Sequence, residues 1–546
     1  MTKGKTPPRR CLSRAARFPG YLAAGLLLAH SGGIQAGEIE TENPDIKLRW
    51  DNTFKYSNGF RLKGRSETIM ADARVDDGDR NFGKGLISSR LDLLSELDAS
   101  YKNIGARVSA AAWFDDVYNK RNDNNSPATS NNVSVPYDRF TEATRNRMGR
   151  KAELLDAFVY AKGSVVDTPV TVRLGRHSLV FGESLFFGAN GIANAQGPID
   201  LVKLLSVPSS QFKEVLRPVE QVSGQVQLSS RLSLSSYYQL KWEKSIIPPA
   251  GSYLSTLDIV GEGAESAGPF LRGQNQKARN SGQGGLQLRY RLADIDAEVG
   301  LFAARYHDKM PNVYLGLNPA TFAPSSLSSV YAEGIRTYGA SVSTSIGEFN
   351  VAGEASVRDN AALVSDPQVV VEGAANNRGS PAYAVGKTLH AQVSTVYLLK
   401  SSPLWDGGVL LAELAWNRRA SISRNPAALD PNTTRDATAV RAVFSPAFYQ
   451  ALPGLDINLP IGLGYNLKGK SSAIFAFNGG VEHGGDLSVG VTGEYQSAWQ
   501  FSVNYVRYLG REQSFLTPPN SPAAYLSYGQ ALKDRDTVSM SIKRTF

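Results

Sequence analysis

The chain has 546 residues, 42% of them hydrophobic, with 51 glycines and a formal charge of +9. That length exceeds one ordinary soluble core, although barrels routinely run past it, and the mixture of apolar residues with abundant Gly, Ser, Asn and Thr suits strands with one apolar and one polar face. The charge excludes less than it suggests: six of the 59 Lys and Arg lie in the first twenty residues, which hold no acid, and the rest of the chain carries 53 basic against 50 acidic residues. No nucleic-acid surface is expected from so small an excess.

The N-terminal stretch reads as a secretory signal peptide over residues 1–36: a basic start, the short apolar run "YLAAGLLLAH", and Ala36 at the expected cleavage point. Cys11, the single cysteine, precedes that run. It is not placed as a lipid anchor, and the exported chain is expected to hold no disulfide, thiolate metal site or cysteine nucleophile. Beyond residue 36 no run of about 18 apolar residues could make a membrane helix. A membrane, if met, is met by strands.

Period-two alternation then recurs along the chain. In "DIKLRWDNTFKYS", Ile46, Leu48, Trp50, Phe54 and Tyr56 face one way, and Lys47, Arg49, Asp51 and Lys55 the other. Clear repeats include "RLDLLSELDASY", "LQLRYRL", "TYGASVSTSI", "LSVGVTGEY" and "WQFSVNYV", with weaker ones such as "VTVRLG" and "VLLAELAW". They amount to about 18 strands (16–18), each near the 9–11 residues of a tilted membrane-crossing strand. Tight gaps at 103–105, 229–231, 293–294, 347–348 and 496–498, and modest ones near 163–168, 400–407 and 445–456, alternate with long polar stretches such as 58–85, 115–150, 175–218 and 243–282. Short turns on one side and long loops on the other describe an outer-membrane barrel. The fold class is therefore all-β: a transmembrane antiparallel β-barrel over residues 37–546.

The chain ends "RDTVSMSIKRTF", with Val538, Met540, Ile542 and Phe546 on one face, interrupted by Arg544. A last strand that pairs with the first leaves no lipid-exposed edge, and Phe546 reads as an assembly signal and an interfacial aromatic.

One long interruption is too apolar for open water: "GRHSLVFGESLFFGANGIANAQGPIDLVKLLSVPSSQFKEVLRPVEQV". Gly182, Gly188, Gly191 and Gly197 suggest a hinge, and Pro198-Ile199-Asp200 opens a short helix with Leu201, Leu204 and Leu205. The expectation is a re-entrant constriction or plug over 181–219, with Phe181, Gly182, Glu183, Ser184, Pro198, Asp200, Phe212, Lys213 and Glu214 as its marker residues. A docking surface for a partner is the alternative.

"LGRHSLVFGES", "PIDLVKL", "QFKEVLRPV" and, upstream, "DDGDRNFGKGLISSRLDLLSELD" resemble the domain-of-unknown-function 1302 family of proteobacterial outer-membrane proteins, over essentially the whole exported chain. Phe181 stands where that family commonly has Trp, and Gly197 where Asn commonly precedes the proline. The resemblance implies a large outer-membrane barrel with an envelope transport role, in a family often found near pathways for steroids or other hydrophobic compounds, and it gives no defined substrate. As partners it implies a periplasmic protein and an inner-membrane exporter of the resistance-nodulation-division type, beside outer-membrane lipid and the barrel assembly machinery.

If the apolar faces meet lipid, Lys47, Arg49, Arg173, Arg289, Arg291, Glu298 and Glu354 line the lumen, as a structural charge network or as a substrate-selecting one. Catalysis is not expected: Arg176-His177-Ser178 puts a base beside a hydroxyl, but neighbours in a strand point to opposite faces. His307, His390 and His483 have no ligand spacing, so no cofactor or metal residue is assigned. The acidic tract Asp76-Asp77-Gly78-Asp79 and "NDNN" at 122–125 could each take calcium or be ordinary solvated loop residues. The functional expectation is an outer-membrane channel or transport component for hydrophobic or lipid-like compounds. The alternatives are a diffusion porin for small acidic solutes and, of another class, a lipid-hydrolysing barrel enzyme.

Overall fold

The structure, a computed structural model, describes residues 37–207, 211–521 and 523–546. The signal-peptide reading of 1–36 lies outside the described residues. The main sheet holds an 18-strand closed antiparallel barrel. In chain order the strands are β1 (Ile46–Arg61), β2 (Gly85–Tyr101), β3 (Ile104–Asp115), β4 (Arg150–Val165), β5 (Thr168–His177) and β6 (Val219–Gln227). There follow β7 (Leu232–Gln239), β8 (Gly284–Leu292), β9 (Ala297–Tyr306), β10 (Ile335–Ile346), β11 (Phe349–Ala362) and β12 (Val385–Leu398). The last six are β13 (Gly407–Arg424), β14 (Asp436–Leu452), β15 (Ile461–Lys468, preceded by the short stretch Leu455–Asn458), β16 (Gly485–Tyr495), β17 (Trp499–Leu509) and β18 (Thr537–Thr545). Each strand pairs with its chain neighbour, and β18 pairs with both β17 and β1, so every backbone edge is used.

Alternation decides which side chain meets which medium. Leu91, Leu154, Leu174, Leu286, Val342 and Val503 keep 47–53% of their surface exposed on the outer wall. Their inward neighbours are polar and buried, among them Ser109, Gln287, Ser341, Gln392 and Asn417. An apolar outside and a polar inside is the reverse of a soluble protein and matches a lipid surround. Among the described residues no helix is long and apolar enough to cross a membrane.

All short turns lie at one end and all long loops at the other. The turn at Val166-Asp167 is tight rather than modest, and β14 runs on to Leu452 before a turn at Pro453-Gly454, so the loop expected over 445–456 is mostly strand. Pro446, which lacks an N–H, is tolerated in β14 opposite Gly408, whose φ of +135° marks an irregular point in the ladder. The long loops build structure of their own. Three of them supply a five-stranded sheet from Ser266–Ala267, Phe270–Arg272, Asn312–Leu317, Pro324–Val330 and Gln368–Val371.

Candidate functional site in the barrel interior

The long connection from β5 to β6 leaves the long-loop end and meets inward-facing side chains of distant strands. Glu354 of β11 accepts hydrogen bonds from the Glu183 N–H (2.7 Å), the Ile192 N–H (2.9 Å) and the Ser184 hydroxyl (3.2 Å). Glu413 of β13 accepts from three successive N–H groups, those of Leu185 (3.2 Å), Phe186 (2.6 Å) and Phe187 (2.7 Å). Arg358 of β11 donates to the carbonyls of Ala189, Asn190 and Gly191, each at 2.9 Å. Irregular backbone buried away from water must satisfy its polar groups, and here wall side chains do so. Glu354 and Glu413 sit in the halves of their strands nearest the short turns.

Apolar packing seats the same connection. Phe186 and Phe187 pack against Ala415, Ala439 and Val443, modest strand side chains that leave room for two rings, and against Phe477 of the β15–β16 loop, whose ring centroid lies 5.5 Å from that of Phe187. Phe181 and Ile192 pack with Tyr237 of β7 and Phe302 of β9. The glycines are places of close approach rather than a hinge. A Cβ on Gly188 would lie 2.1 Å from the Phe212 ring, and one on Gly191 would lie 2.1 Å from the Ser184 hydroxyl.

Asp200 caps the short helix Leu201–Ser206 by accepting from the Lys203 N–H at 3.0 Å. Pro198 precedes it, its carbonyl accepting from the Arg217 N–H at 2.8 Å. Arg217 forks onto Glu153 of β4 at 3.1 and 3.2 Å. Phe212 is buried beside Val215 and Leu216, whereas Lys213 and Glu214 are exposed. Lys203, Leu205 and Val207 are exposed too, and Lys55 of β1 stands opposite Lys543 of β18 across the seam.

Of the residues assigned to the lumen by alternation, three converge here: Arg289 bridges Glu298 at 2.5 Å and Glu183 at 3.2 Å, one link from Glu354. The others stay apart. Arg49 pairs with Asp51 at 2.7 Å and Arg291 with Asp296 at 3.3 Å, both arginines exposed, as is Lys47 near the same turn end. Arg173 lies 5.9 Å from the Phe158 ring on the neighbouring strand. Sequence reasoning missed Glu413, Arg358 and His390, whose Nδ1 is 3.1 Å from the Asn190 side-chain oxygen. His177 meets Ser223 of β6 at 2.8 Å rather than Ser178, and its other nitrogen meets the Gly175 carbonyl at 3.1 Å. No carboxylate orients the ring.

A closed 18-strand barrel with a lipid-facing apolar wall is an outer-membrane protein. More narrowly, the family model described as "Protein of unknown function (DUF1302)" matches residues 17–546, and the chain belongs to that family. No curated protein matches it. Among solved structures it is similar to Acinetobacter baumannii OccAB1 at 11% identity, covering 91% of this chain and 96% of that one with a TM-score of 0.40. It is similar also to Pseudomonas aeruginosa OpdK with vanillate, at 10% identity, 91% and 98% coverage and a TM-score of 0.41. The outer membrane channel DcaP of Acinetobacter baumannii shares 9% identity over 94% of this chain and 100% of its own, with a TM-score of 0.37.

Proposed function

We propose that the barrel is a passive transport channel of the outer membrane whose lumen is narrowed by the described parts of residues 181–219. The observation that carries this is the pair of wall carboxylates, Glu354 and Glu413, accepting five backbone N–H groups of that connection between them. A loop over the mouth would not meet inward residues of the turn-side half of the wall. The cargo we infer is hydrophobic or lipid-like: exposed Leu205 and Val207 give the connection an apolar border. The exposed Lys203 of the connection, together with Lys55 and Lys543 paired across the seam, supports a second reading, selection of small acidic solutes. A periplasmic partner would dock at the short-turn end, and no covalent step is proposed.

Replacing residues 186–212 with a short Gly-Ser link tests the channel. Since the ladder is made elsewhere, the barrel should still fold, with higher single-channel conductance in planar bilayers and passage of larger solutes. Unchanged conductance would sink the constriction. Blockade of wild-type current by long-chain amphiphiles but not by small carboxylates would favour the hydrophobic cargo, and the opposite order the acidic one.

A further inference from the structure

On the long-loop side, three aspartates from two loops meet in the interior of the loop cap. Asp76 and Asp77 lie in the β1–β2 loop and Asp258 in the β7–β8 loop. Each offers a carboxylate oxygen within 4.8 Å of the others, and all three residues are buried. Two of the carboxylates are incompletely satisfied. Oδ2 of Asp76 accepts from Arg80 Nε at 2.7 Å, and Oδ2 of Asp258 accepts from the Asp77 N–H at 2.9 Å. The remaining oxygens, Oδ1 of Asp76 and Oδ1 of Asp258, are buried without a hydrogen-bond partner, in side chains whose residues are 1% and 0% exposed. Buried polar atoms are almost always paired, so two orphans in one three-residue cluster point to a missing electropositive group.

The surroundings have room in charge for it. Asp76, Asp77, Asp79, Asp258 and Asp534 are the buried carboxylates of this network. Facing them are Arg80 on Asp76, and Arg61 and Arg535 on Asp79, with Arg61 also on Asp534. Five negative groups against three positive ones leave an excess of two negative charges. Asp77 is held in place by Asn131 at 2.8 Å, by Asn124 at 3.3 Å and by the Thr129 hydroxyl, so the cluster is oriented rather than collapsed.

We propose that Asp76, Asp77 and Asp258 bind one calcium-class divalent cation, which ties the β1–β2 loop to the β7–β8 loop over the barrel. Oxygen-only donors suit that ion, and ligand bonds of about 2.3–2.6 Å span oxygens separated as these are.

Equilibrium dialysis with calcium, on the full exported barrel in detergent after stripping with chelator, tests this. Wild type should retain one more calcium per chain than Asp258→Asn or Asp76→Asn, with a Kd of roughly 10⁻⁴–10⁻³ M. Asp294→Asn, at a short turn, should match wild type. Equal retention by wild type and Asp258→Asn overturns the site. Should either variant fail to fold, trypsin cleavage of wild type after Arg74 and Arg80 decides: calcium at ten times its Kd should slow it about tenfold, by lowering the open population. An unchanged rate overturns the proposal.

Discussion

Glu413 shows how much one side chain can carry. It receives three consecutive N–H groups, and Glu413→Ala would leave them buried and unpaired, at a cost of about 1–3 kcal/mol for each unsatisfied group. The loss should fall on the connection and not on the barrel. Expected outcomes are a barrel that still runs heat-modifiable on gels, faster protease cutting between residues 183 and 192, and noisier or larger single-channel current. Glu413→Gln, which keeps an acceptor oxygen, should lie between. This residue was legible in principle: a single carboxylate inside the apolar run "VLLAELAW" is costly to bury without partners, whichever face it takes. Alternation alone placed Glu354, Arg289 and Glu298 inside but could not bring the first to Glu183, because that meeting joins a strand to a connection far away in the sequence. Likewise Asp258 joins Asp76 and Asp77 through contacts between loops, which no local pattern encodes.

At the scale of elements, what was legible followed from physics that repeats. A strand between lipid and a polar lumen must alternate, and the register confirms it at Leu286 and Val503 outward and Gln287 inward. Arg at Val503, near midplane, is expected to cost about 2–4 kcal/mol, whereas Arg at Asn504 should be tolerated. Urea titrations of refolding into vesicles would measure both, and equal costs would mean the register is wrong. What escaped sequence reasoning were elements too short to show a period. Runs such as "NVYLGL" and "QVVV" lie within long polar stretches and become strands only because three loops lie side by side. The turn-side end of β14 was hidden by Pro446, which would signal a break in most strands but here falls at an irregular point of the ladder.

For the whole molecule, closure is the step on which the rest depends. The seam is the ladder between β1 and β18, with Tyr56 opposite Ile542 and Thr53 opposite Thr545. It continues one residue past the strand: the Phe546 N–H donates to the Asn52 carbonyl at 2.9 Å, and the Asn52 N–H to the Phe546 carbonyl at 2.8 Å. The Phe546 ring stacks on Phe54, with centroids 5.5 Å apart and planes 8° from parallel. Beside it Arg544, the residue that breaks the apolar face, lies 5.0 Å from the Trp499 ring, an arrangement that keeps its charge against an aromatic surface. The terminal residue therefore contributes through backbone and ring separately. Phe546→Ala removes only the ring contact, Phe546→Asp sets a negative charge in place of the ring at the membrane border, and deletion removes the last backbone pair as well. Export should survive all three, because none of them touches the N-terminal stretch expected to direct it. Insertion should fall in the order wild type, alanine, then aspartate and deletion, read as the heat-modifiable fraction recovered with outer membranes. Full recovery of the aspartate variant would mean that the seam closes without help from its last aromatic, and that Phe546 is an ordinary edge residue.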